Sequence, residues 1–148
     1  MKLFIAGLAA VAMAVTIVPS ASAAGSTQLT GVRTEHYATY DRVVFDLTGS
    51  SPQPAITRTT ELENCASGKP ISAVGAEFLE VRMQPADGTL YGGSRNITTG
   101  LPTAQSVAFT CDFEADLSIA IGVNRSNATY TAHVESSPLR YVVDIYHS

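Results

Sequence analysis

The chain has 148 residues, of which 45% are hydrophobic and only 15% charged, with a formal net charge of −4. This length suits one domain that buries roughly two thirds of its unfolded surface and needs no metal to complete its core. The acidic balance argues against nucleic acid as a partner, because phosphate binding needs a basic footprint, and it offers no attraction to anionic membrane surfaces.

Residues 1–23 read as an export signal. Lys2 supplies a positive start, and Leu3 to Val18 is an apolar run interrupted only by Gly7 and Thr16. Pro19-Ser20 break the run, and Ala21-Ser22-Ala23 fits the small-x-small cleavage rule. The run is shorter than the roughly 20 apolar residues a spanning helix needs, so no membrane span is expected after cleavage. No Cys stands near the cleavage site to carry a lipid. The mature domain is expected over 24–148, with 8 basic and 13 acidic residues once Lys2 is removed, a net charge of −5.

Within that domain, residues 29–34 alternate weakly and predict a first strand. Asp41-Arg42 leads into a second that runs to Thr48. Pro52 and Pro54 mark a loop, since neither can donate to a ladder. Residues 55–62 alternate as an exposed or edge strand, 64–69 form a turn around Gly68, and 71–74 predict a short strand. Residues 77–84 predict a strong strand whose Leu79, Val81 and Met83 form a clean apolar face. Pro85-Ala86-Asp87-Gly88 predicts a turn with positive φ at Asp-Gly. Residues 91–102, rich in Gly, Ser, Thr and Asn, read as a mobile loop. Strands follow over 105–113, 117–123, 130–135 and 139–146, separated by polar turns. No amphipathic helix emerges. The expectation is an all-β fold, a β-sandwich of about seven to nine short strands.

One repeat stands out. Arg42-Val43-Val44-Phe45-Asp46-Leu47 returns as Arg140-Tyr141-Val142-Val143-Asp144-Ile145. Alternate residues of a strand share a face, so Arg42, Val44 and Asp46 point one way and Val43, Phe45 and Leu47 the other. The second copy divides in the same manner. Two arrangements are open. An antiparallel pair with indices summing to 186 sets Arg42 opposite Asp144, Val44 opposite Val142 and Asp46 opposite Arg140, whereas a parallel pair would oppose like charges. Alternatively, each strand lies in its own sheet, as pseudo-symmetric halves would require, with both Arg/Asp faces turned outward as binding surfaces.

Several segments, in order, carry a family resemblance: Gly31-Val32-Arg33, His36 through Tyr40-Asp41-Arg42-Val43-Val44-Phe45-Asp46, Ala76-Glu77-Phe78-Leu79-Glu80-Val81, Asp112-Phe113-Glu114, and Ser137-Pro138-Leu139-Arg140-Tyr141-Val142-Val143-Asp144-Ile145. The set resembles the AMIN-like domain of secreted actinobacterial proteins, itself distantly similar to the AMIN domain of cell-wall amidases. The resemblance covers nearly the whole expected mature chain. It implies a β-sandwich, a non-catalytic role, and a partner in the envelope, either a cell-wall polymer or an envelope protein. The chain departs from the amidases in carrying no amidase domain beside it.

The remaining side-chain patterns point to few chemistries. Cys65 and Cys111 are the two cysteines, and in an exported chain they are expected to form a disulfide. Thr110-Cys111 bears a faint likeness to a sortase nucleophile, with His36, His133 and Arg125 as conceivable partners, but Cys65 offers Cys111 a simpler use. Asp112, Glu114 and Asp116 share one face if their segment stays extended, and would then be solvated, paired or bound to Ca²⁺. The three histidines are distant in sequence and read as surface residues. No phosphate loop, His-Glu-x-x-His or Gly-x-Ser-x-Gly occurs, so no cofactor, metal or catalytic residue is expected. The chain has no Trp, and Tyr37, Tyr40 and Tyr91 are the aromatic residues that could serve a shallow site, Tyr37 and Tyr40 flanking the bend before the first Arg/Asp strand. The candidate binding residues are therefore Arg42, Asp46, Arg140, Asp144, Tyr37 and Tyr40. An envelope-binding module leads; a secreted protein-interaction or inhibitor domain and a small cysteine enzyme are the alternatives.

Overall fold

The computed structural model describes residues 25–148. The expected export signal lies outside the described residues. Ten strands form: β1 Thr27–His36, β2 Tyr40–Gly49, β3 Ala55–Thr59, β4 Glu77–Met83, β5 Ala86–Asp87, β6 Asn96–Thr98, β7 Ala104–Phe113, β8 Asp116–Val123, β9 Tyr130–Ser136 and β10 Leu139–Tyr146. They make two five-stranded sheets, ordered β5-β1-β2-β10-β9 and β3-β4-β8-β7-β6. No helix occurs among the described residues.

The two sheets pack through the apolar faces that alternation predicts. Val43, Phe45, Leu47, Tyr141, Val143 and Ile145 of the first sheet join Leu79, Val81, Met83, Leu117, Ile119 and Ile121 of the second in one core. Burial raises the phenol of Tyr141 to a pKa of about 12.

β2 and β10 are neighbours in the same sheet. They run antiparallel with Arg42 opposite Asp144, Val44 opposite Val142 and Asp46 opposite Arg140. This is the register summing to 186, and it rules out the arrangement in which the repeated strands occupy separate sheets. The repeat therefore does not mark two symmetric halves. It marks one central antiparallel pair, flanked by β1 on one side and β9 on the other.

Other expectations need correction. Residues 71–74 form no strand. Two of them pack instead onto the outside of the second sheet, where Ile71 and Ala73 meet Leu62, Phe78, Ala108 and Ala120. The chain passes so close over β8 that a Cβ on Gly122 would stand 2.0 Å from the Val74 carbonyl oxygen, so only glycine fits there. Ala86-Asp87 is not a positive-φ turn but a two-residue strand, parallel to Thr27-Gln28. Residues 91–102 contain β6, which pairs with β7. The acidic segment 112–116 does not stay extended: Glu114 and Ala115 both adopt positive φ and reverse the chain between β7 and β8. Paired positive φ values are the hairpin geometry that matches strand twist.

A disulfide joins Cys65 to Cys111. It ties the segment between β3 and β4 to β7, and the Cys65 amide donates to the Thr110 carbonyl at 3.0 Å. One outer face of the sandwich is thus covered by chain, and among the described residues the other is left bare.

Candidate functional site

The bare face belongs to the first sheet. Alternation along β2 and β10 turns Tyr40, Arg42, Val44 and Asp46 outward beside Tyr146, Asp144, Val142 and Arg140. Val44 and Val142 are 3% and 1% exposed but stand outside the inter-sheet core. In the ladder, Arg33 of β1 and His133 of β9 flank this pair of valines. Long polar side chains with apolar stems can cover such a small apolar stripe while keeping their charges in water.

The Arg42–Asp144 contact of the antiparallel alternative forms. The Arg42 Nε donates to Asp144 Oδ1 at 2.7 Å, and Nη2 to Oδ2 at 2.8 Å. This is a two-pronged guanidinium–carboxylate bond. The carboxylate keeps the Arg42 guanidinium even more firmly protonated than usual. The Asp46–Arg140 contact does not form in the same way, although the two residues are ladder partners. Asp46 accepts instead from Arg33, at 2.7 and 2.9 Å. Arg140 donates to Glu135 at 2.7 Å. The flanking strands therefore supply partners that the repeat does not contain. Hydrogen bonding from Arg33 holds the Asp46 carboxyl below the usual aspartate range.

Tyr37 and Tyr40 stack with ring centroids 4.7 Å apart. The turn that brings them together is closed by the Tyr37 amide, which donates to the Tyr40 carbonyl at 2.9 Å. The Arg42 guanidinium carbon lies 5.4 and 5.5 Å from the two ring centroids, within cation–π range. Tyr146 adds a third ring, 5.9 Å from Tyr40. The Tyr37 hydroxyl donates to Glu35 at 2.6 Å, which raises the Tyr37 pKa. Tyr37 remains 38% exposed. The structure thus brings five of the six candidate residues into two neighbouring groups on one face: Tyr37, Tyr40, Arg42 and Asp144 in one, and Asp46 with Arg33 in the other. Arg140 sits toward β9 with Glu135.

This face presents oriented rings and neutralised charges. The cysteine-enzyme alternative loses its thiol, because Cys65 and Cys111 are bonded to each other. The acidic trio is also taken up. Asp112 accepts from Arg95 at 2.7 Å, Asp116 pairs with Arg82, and Glu114 lies in the turn.

The sequence reading missed one cluster. His36 and His147, read as unrelated surface residues, both meet Asp41. The register explains it: Asp41 faces His36 across the β1–β2 hairpin, and β10 ends beside it with Ile145 as its ladder partner. Extending the register by two residues beyond Ile145 would have brought His147 to the same corner.

The AMIN-like domain model matches residues 27–147. Comparison with curated proteins and with solved structures found no match. The matched span takes in both copies of the Arg…Asp strand and all ten strands of the sandwich, and the chain belongs to the AMIN-like domain family.

Proposed function

We propose that this domain is a secreted, non-catalytic binding module of the cell envelope, and that it meets its partner through the bare face around Tyr37, Tyr40, Arg42 and Asp144. The export signal expected at residues 1–23, with cleavage before Ala24, fits that location, and so does the disulfide, since such bonds persist in oxidising compartments. The observation that carries the choice of surface is the Tyr37–Tyr40 stack held against Arg42. Aromatic rings that are already fixed in place lose little freedom on binding and offer an apolar face with a polar rim. A cell-wall glycan or peptide suits such a surface, because both combine apolar ring or side-chain faces with hydrogen-bonding edges.

Co-sedimentation with purified peptidoglycan tests this reading. The wild-type domain is expected to sediment with the polymer, and Tyr37→Ala/Tyr40→Ala to remain in solution with an unchanged circular dichroism spectrum. Sedimentation of the double variant at the wild-type level would defeat the choice of surface. No sedimentation of the wild type, at low or physiological salt, would defeat the cell-wall polymer as ligand and leave an envelope protein as the partner.

A further inference from the structure

Three side chains, from β1, β2 and the residue just after β10, converge at one end of the sandwich. Asp41, the second residue of β2, lies on its inner face and is fully buried. Its Oδ2 accepts from the main-chain amides of Thr103 and Ala104, at 2.7 and 3.0 Å. Those amides lead into β7, so Asp41 bridges the two sheets. Its Oδ1 faces two imidazoles, with His36 Nδ1 at 2.7 Å and His147 Nε2 at 3.0 Å. The potential ligand atoms of all three residues lie within 4.8 Å of one another.

We propose that His36, Asp41 and His147 form a binding site for a single divalent transition-metal ion of the zinc class. Two imidazole nitrogens and one carboxylate oxygen make a donor set suited to such an ion, with room for water or a partner's ligand in a fourth position. A tetrahedral ion with bonds of about 2.0–2.1 Å sets its ligands about 3.3 Å apart. The two nitrogen–oxygen separations here, 2.7 and 3.0 Å, are shorter than that, and the two nitrogens stand within 4.8 Å of each other, so seating the ion needs a shift of an imidazole. His36 can provide it, since its side chain is 51% exposed and its ring stacks on His147 with centroids 5.2 Å apart. Asp41 need not move. The two amides on Oδ2 fix its carboxylate from behind, as outer hydrogen bonds do for metal ligands in general. A bound ion would fasten β1, β2 and the end of β10 at the turn that carries Tyr37 and Tyr40. The site stands independently of what the bare face binds.

Isothermal titration of the tag-free, disulfide-bonded protein with zinc chloride, in a buffer that does not chelate, tests the site. One ion per chain is expected, with a rise in melting temperature on saturation. His36→Gln and His147→Gln should each weaken binding by at least about tenfold, the lower end of the effect seen for residues that merely support metal ligands. His133→Gln should leave it unchanged, because His133 lies on β9 and contacts Glu135 instead. His36 is exposed enough for its variant to keep the fold, which circular dichroism checks. Absence of saturable binding by the wild type, or wild-type affinity in the His36→Gln/His147→Gln double variant, would overturn the proposal.

Discussion

The two outer faces of this sandwich solve the same problem in opposite ways. The second sheet turns Phe78, Ala108 and Ala120 outward, and the chain between β3 and β4 folds back to cover them with Leu62, Ile71 and Ala73. The Cys65–Cys111 bond fastens that cover down. The first sheet turns Arg, Asp and Tyr outward and has no cover among the described residues. Its charges are paired within the sheet, and its two outward valines lie low between them. An apolar outer face needs a lid of chain, and a face of paired charges can stay open to a partner. Two faces of one sandwich thus come to differ in cover because their outward residues differ in polarity.

Reduction of the disulfide should give the largest effect. Residues 65 and 111 are 46 apart, and opening a loop of that size should lower stability by about 3–4 kcal/mol in the chain-entropy model. Chemical denaturation with and without reductant measures it. Protease sites within 60–74 should also open, on reduction, before those of the first sheet. Uniform cleavage of both faces would erase the distinction between a covered and an uncovered side.

Phe78→Ala comes next. Its ring is 6% exposed beneath the cover, so truncation should cost about 3 kcal/mol, read from a urea transition. A loss within about 0.5 kcal/mol, as for ordinary surface residues, would mean that the cover contributes no packing.

The charged face should yield smaller numbers, graded by burial. A double-mutant cycle on Arg42 and Asp144 should give a coupling of about 1–2 kcal/mol, because the pair is two-pronged and half-buried. The same cycle on Arg33 and Asp46, whose side chains are more exposed, should stay below about 1 kcal/mol. Equal couplings would show that burial does not order the ladder.

The smallest effect concerns acid. The Asp46 carboxyl titrates lower in the folded chain than in the unfolded one. Its contribution is therefore present above the ordinary aspartate pKa of about 3.9, and it is lost as the pH falls through the lower, folded value. Melting curves between pH 7 and pH 3 should show Asp46→Asn to be the less stable at neutral pH, with the gap to wild type closing in the acid range. A gap that is constant with pH would contradict the Arg33–Asp46 bond.

What the sequence discloses follows from this contrast. The register of the central pair is legible, because β2 and β10 both carry Arg-x-Val-x-Asp and opposite charges select it once the strands are neighbours; that they are neighbours, rather than members of separate sheets, is not. The partners of Asp46 and Arg140 are not legible, since Arg33 and Glu135 come from flanking strands that the repeat does not mention. Residues 71–74 mislead because apolar residues that cover a sheet look like those that join one. The reversal at Glu114-Ala115 is hidden because neither residue is a usual positive-φ type. The corner of His36, Asp41 and His147 is invisible to spacing rules, which operate along the chain, whereas strand pairing gathers residues from both of its ends. The candidate surface is mostly legible in its residues, and its aromatic stack is not.

The central claim is that the open face meets the partner and the covered face does not. The most direct test is an amide-by-amide NMR map of the labelled domain titrated with soluble peptidoglycan fragments. Saturable shifts are predicted to cluster at Tyr37, Tyr40, Arg42, Asp144 and Tyr146, with residues 60–74 and 108–120 unmoved. Shifts confined to residues 60–74 and the Cys65–Cys111 region would contradict the claim.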